Sequence, residues 1–193
     1  MNADAQAVID FWFGAPGSPE RGTTREAWFR KDPAFDASIA QRFSGLVERA
    51  LGGELRDWDA QPASALARIL LLDQFTRNIF RDTARAFAGD ALALQAAQAL
   101  VASGQDRALP PEQRSFVYMP FEHAENLAAQ DEAVRLFARL EAEAPALTGL
   151  VDWAQRHRAI VARFGRFPHR NALLGRASTA EELAFLEQPG SRF

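Results

Sequence analysis

Apolar residues recur along this chain at spacings of three and four, and no segment shows the strict alternation of a half-buried strand. The periodicity predicts a helix over about 3–12, stopped by Gly14 and Pro16. A loop rich in Gly, Pro, Ser and Thr follows over 14–24, and Trp28 and Phe29 then anchor the chain. Pro33 suits the first turn of a second helix, which Gly52 and Gly53 end. A third helix starts near Pro62, and another spans about 83–103, closed by Gly104. Pro110 and Pro111 open a short helix, Pro120 restarts one, and 130–143 reads as its antiparallel neighbour. A helix over about 149–164 leads into a short one that begins at Pro168 and stops at Gly175. Ser178 and Glu181 read as a capping box that starts the last helix, ending before Pro189. No linker or composition shift divides the chain. The expectation is therefore one all-α domain over 1–193, built of stacked helical hairpins.

The helix from Pro62 changes the picture from architecture to chemistry. On a wheel of about 100° per residue, Leu66, Ile69, Leu70, Asp73, Arg77, Phe80 and Arg81 share one side, if the helix continues that far. Leu71, Leu72, Phe75 and Ile79 cover the other. A helix apolar all round is a buried one, so Asp73 and Arg77 lie on a buried stripe where unpaired charge is costly. Either they form a structural ion pair, with Asn78 and Arg81 capping nearby carbonyls, or Asp73 orients Arg77 or Arg81 toward a ligand.

Two further segments mix charge with apolar bulk. Phe164-Gly165-Arg166-Phe167-Pro168-His169-Arg170-Asn171 sets two guanidiniums and an imidazole among three Phe, which suits a half-buried wall. Guanidinium forks recognise carboxylate and phosphate. A short internal echo links this segment to Phe75-Thr76-Arg77-Asn78. In Tyr118-Met119-Pro120-Phe121-Glu122-His123-Ala124-Glu125, a helix starting at Pro120 would put His123 and Glu125 in its opening turns, beside free amides. His157, flanked by Leu150, Trp153, Ala154, Ile160, Val161 and Phe164, reads as a core histidine before it reads as an acid or base.

Composition narrows the classes. The 193 residues are 48% hydrophobic and 24% charged, ordinary for a soluble globular protein. No apolar run is long enough to span a membrane, and the amino terminus lacks the pattern of a secretory signal, so a cytoplasmic protein is expected. A net charge of −3 argues against a general nucleic-acid role. With no Cys and three His, none at i, i+4 spacing, neither a thiolate nucleophile nor a compact zinc motif is expected. No glycine-rich phosphate loop, GxSxG elbow or dinucleotide fingerprint is present. No cofactor is expected.

The pieces 73–81, Thr83-Ala84-Arg85-Ala86-Phe87-Ala88, 118–125 and 164–171 resemble the bacterial DUF924 family. So do the opening Val8-Ile9-Asp10-Phe11-Trp12-Phe13, the pair Gly175-Arg176, and Ser178-Thr179-Ala180-Glu181-Glu182 near the end. The chain departs in Thr76, where the family usually has Pro, and in Glu122 and Ala124, where it usually has Met and Ser. The resemblance implies a tetratricopeptide-like helical superhelix and carries no established activity.

Three functional readings follow. The first is a pocket, possible in an enzyme, that binds a small anionic metabolite. Its ligand-binding set would be Asp73, Arg77, Asn78, Arg81, Glu125, Arg166, Arg170, Asn171 and Arg176, with His123 and His169 as acid/base candidates ahead of His157. The second is a helical-repeat module whose concave face takes a peptide through its carboxylate. The third is a purely structural polar network. Convergence of the three segments on one closed cavity would favour the first.

Overall fold

The computed structural model describes residues 1–191, and these form helices and turns with no strand among them. The caps do what short polar side chains do at helix starts. Asn2 accepts the Asp4 amide at 2.8 Å to open α1 (Ala3–Phe13). Asp32 accepts from Ala34 and Phe35 ahead of Pro33, the first residue of α2 (Pro33–Leu51). Asn126 accepts from Ala129 at the start of α7 (Leu127–Glu143), which follows α6 (Pro111–Glu122). Between these lie α3 (Pro62–Leu70), α4 (Thr76–Ile79) and α5 (Asp90–Ala102); α8 (Leu150–Phe164) and α9 (Ala180–Leu186) complete the chain.

α3 and α4 are one rod joined by a π-helical turn over Leu71–Phe75. The rod is buried as its all-round apolar sequence requires: Leu66, Leu70, Leu71, Leu72 and Phe75 are inaccessible. Phe75 is fixed against Trp12 and Phe43, with ring centroids 5.4 and 5.2 Å away. The uniform wheel fails beyond this point for two reasons. The wide turn changes the angle per residue, and the helix stops at Ile79 instead of reaching Arg81.

Charged side chains show how the helices pair. Asp36 in the first turn of α2 meets Asn78 and Arg81 at the end of the rod, so the two elements run antiparallel. Arg114 at the start of α6 reaches Glu143 at the end of α7, while Gln130 near the start of α7 caps the Glu122 carbonyl. The α7–α8 pair is antiparallel in the same way, through Glu141 with the Val151 amide and Arg158 with Asp131. One apolar core runs from α1 to α8, and a small satellite of Ile160, Val161 and Phe167 lies under α9 with Phe164 and Phe185.

Four sequence expectations are corrected. The helix expected from Thr83 begins at Asp90, because 84–87 form a 3-10 turn after Asp82, whose φ is 61°. Pro120 does not restart a helix; it lies inside α6. His123 and Glu125 therefore follow a helix end and do not lie in the opening turns of a helix. Pro168 opens only a three-residue 3-10 turn, Pro168–Arg170. The capping box is Thr179 with Glu182, one residue later than read, since only Glu182 also meets Arg166 and Asn171.

Candidate functional site

A cavity of about 510 Å³ opens where the rod ends, and all three histidines of the chain line it. Its volume is that of a small-molecule site. Arg77, Arg81 and Asp82 come from the end of the rod, Phe87 from the turn before α5, His123 from the end of α6, His157 from α8, and His169 and Arg170 from the 168–170 turn.

The best-defined contact is between Asp73 and His123. Asp73 sits in the π-helical turn and is fully buried, and its Oδ1 lies 2.7 Å from Nδ1 of His123. Burial alone would push the Asp73 carboxyl up. Arg77 and His123 reverse this with their charge, helped by hydrogen bonds from His123 and Gln74, and hold it well below the usual carboxylate range. Arg77 approaches the same oxygen at 3.1 Å and donates to the Asp73 carbonyl at 2.6 Å. With Nδ1 engaged by the carboxylate, Nε2 is the ring nitrogen of His123 left for a ligand.

Asp90, the first residue of α5, joins the two guanidiniums of the internal echo. Arg77 lies 2.9 Å from one of its oxygens, and Arg170 donates to the other at 2.9 Å. Arg170 is buried and lies between two rings, 4.6 Å from the centroid of Phe87 and 4.7 Å from that of Phe167. Its burial, with Arg77 nearby, lowers its pKa despite Asp90. It also donates to the His123 carbonyl at 3.0 Å, a favourable partner for the negative end of α6. Asp73 and Asp90 do not line the cavity, whereas Arg77, Arg170 and the imidazoles do. These two acids lie behind the lining and their cations within it, while Asp82 lines the cavity itself.

The remaining predicted residues fall into two groups. Asn78 and Arg81 both bind Asp36, at 2.7 Å for Asn78 and 2.8 and 2.9 Å for Arg81; Arg81 still reaches the cavity. Glu125, Arg166, Asn171 and Arg176 do not line it. Glu125 takes a two-pronged contact from Arg176 at 2.6 and 2.9 Å and the Phe167 amide at 2.7 Å. Arg176 also donates to Asn171 and to the Phe167 carbonyl, and Arg166 grips Glu182 at 2.6 and 2.8 Å. This network fastens the segment that carries His169 and Arg170. It supports the cavity wall from outside.

His157 is buried, as its apolar neighbours imply, yet it faces the same cavity. Its Nδ1 lies 2.9 Å from Glu122 Oε1 and 2.9 Å from the Trp153 carbonyl. Sequence reasoning left out Asp36 and Asp90, partners of the selected Arg77, Arg81 and Arg170, and Glu122, which lies beside His157. Nothing local marks them: Asp36 and Asp90 look like ordinary first-turn acids, and Glu122 like one more polar residue on α6. Among the described residues no group of three or more His, Cys, Asp or Glu could hold a metal ion. No helix among them is long and apolar enough to cross a membrane.

Residues 8–190 match the family of bacterial proteins of unknown function, DUF924. The chain belongs to this family. A solved structure of a protein of unknown function from Agrobacterium tumefaciens is similar to it, with 41% sequence identity and a TM-score of 0.82. That likeness covers 96% of this chain and 97% of the other. No curated protein matches it. Membership of DUF924 and the shared fold leave the chemistry of the cavity to be argued from its residues.

Proposed function

We propose that the cavity binds a small anionic metabolite and that His123, oriented by Asp73, exchanges a proton with it. The observation that carries this reading is the 2.7 Å contact between a fully buried carboxylate and an imidazole at the cavity wall. A carboxylate on Nδ1 fixes the tautomer and the ring direction and stabilises the imidazolium after proton uptake. Arg77 and Arg170 stand in front of their acids and offer donors to an anion entering the cavity. His169 stays an acid/base candidate from the same wall. Convergence of segments 73–81, 118–125 and 164–171 on one cavity favours this over a tetratricopeptide-like peptide groove, whose contacts would be spread along repeated positions.

Inorganic phosphate and small dicarboxylates are expected to raise the melting temperature of the protein, since a ligand of the native state stabilises it by mass action. His123→Gln is expected to keep the fold and lose turnover of any substrate found by screening phosphate-bearing metabolites. No shift in melting temperature with any of these anions, or full turnover in His123→Gln, rejects the reading.

A further inference from the structure

The cavity holds a second imidazole backed by a carboxylate. The rings of His123 and His157 have centroids 6.2 Å apart; Nδ1 of His123 meets Asp73, while Nδ1 of His157 meets the Trp153 carbonyl and lies 2.9 Å from Glu122 Oε1. Building on the proposed anion site, we infer that His157 is a second proton-transfer residue, that Glu122 is its positioning residue, and that the substrate is a phosphate diester.

Among the described residues, no Ser, Thr, Tyr, Cys or Lys lines the cavity, so these residues present no hydroxyl, thiol or amine nucleophile to it. Arg77 and Arg170 suit the non-bridging oxygens of a phosphate. Displacement of an alkoxide at such a phosphorus by water needs two proton movements, one from the entering oxygen and one to the departing oxygen. Two imidazoles with ring centroids 6.2 Å apart, each beside a carboxylate, supply both. The water oxygen bonds to phosphorus as the ester P–O bond breaks. The water's proton passes to neutral His123, and protonated His157 gives its proton to the departing alkoxide. The products are a phosphate monoester and an alcohol, with water the sole co-reactant.

The charged and titratable groups around the two rings are Asp73, Arg77, Arg81, Asp82, Asp90, Glu122, His169 and Arg170.

The test compares two diesters on the full chain, the aryl one followed by nitrophenolate absorbance and the benzyl one by chromatography of the released alcohol. Bis(para-nitrophenyl) phosphate releases a phenolate that departs without a proton, whereas a para-nitrobenzyl methyl phosphate releases an alkoxide that needs one. The wild type should hydrolyse both, the benzyl diester with a bell-shaped pH profile and the aryl diester with an acid limb alone. His123→Gln should lose both. His157→Gln should lose the benzyl diester about a hundredfold or more and largely spare the aryl diester. Glu122→Gln, which keeps the shape of the side chain, should shift the alkaline limb of the benzyl profile to lower pH, and it carries the test if His157→Gln folds poorly. Equal loss of both diesters in His157→Gln, an unmoved alkaline limb in Glu122→Gln, or a wild type that hydrolyses neither diester overturns the inference. If phosphate still raises the melting temperature in that last case, the anion site stands and the two-imidazole reaction alone falls.

Discussion

Gly89 lies so close to Leu72 that a β-carbon on it would sit 2.1 Å from the Leu72 carbonyl oxygen. The backbone of Gly89 is ordinary, with φ −92°, so its requirement is space and not conformation. The contact presses the start of α5 against the π-helical turn and thereby sets Asp90 beside Arg77 and Arg170. Gly89→Ala is expected to destabilise the protein by about 1–3 kcal/mol through overpacking against backbone that cannot move aside. It should also weaken phosphate binding by displacing Asp90. Urea denaturation and calorimetry with phosphate check the two effects; a variant as stable as wild type contradicts the packing.

Asp73→Ala should cost more. It leaves Arg77 and His123 without the carboxylate they share, and removing one partner of a buried charge pair costs about 3–5 kcal/mol. An unchanged thermal melt would show that the pair contributes nothing.

Acid should loosen the segment around α9 through Glu182. Glu182 is lowered from an ordinary 4.5 to about 2, chiefly by the Arg166 guanidinium and then, against the cost of burial, by the Thr179 amide and Asn171. A depressed carboxylate contributes stability that is complete above its unfolded value and is lost as pH falls through the folded one. The expected window lies between pH 4.5 and about 2. Glu182→Gln should flatten the dependence of stability on pH there, read by urea melts across that range. An identical slope in wild type and variant would remove Glu182 from the account.

Arg176→Lys should fail as a conservative change. The guanidinium spans Glu125, Asn171 and the Phe167 carbonyl at once, which a single ammonium cannot reproduce. A loss of about 1–2 kcal/mol is expected from the missing charged hydrogen bonds. Because Glu125 also holds the Phe167 amide, His169 and Arg170 should become more mobile, seen as faster amide exchange over 166–171. Wild-type exchange in that segment would show that the network does not position it.

The sequence by itself determined the elements whose causes are local. Asn2 and Asp32 fix helix starts because a cap and its amide lie two or three positions apart, and Pro33 and Pro62 because a proline ring suits the first turn. The all-round apolar rod was legible for the same reason, and so was the burial of Asp73. Where two local solutions competed, as between Ser178–Glu181 and Thr179–Glu182, the choice fell to Arg166 and Asn171, which lie outside the motif. Pro120 looked like a start because proline favours one, yet packing of α6 on α7 carried the helix through it.

Tertiary structure alone decided how the charges pair. Arg170 meets Asp90 across 80 residues of chain, His123 meets Asp73 across 50, and Arg81 meets Asp36 across 45. No periodicity reports such separations, since each pairing depends on which helix faces are already buried against one another. His157 shows the limit most clearly. Its apolar neighbours correctly implied burial, but the cavity and Glu122 come from other parts of the chain, and only packing brings them to the ring.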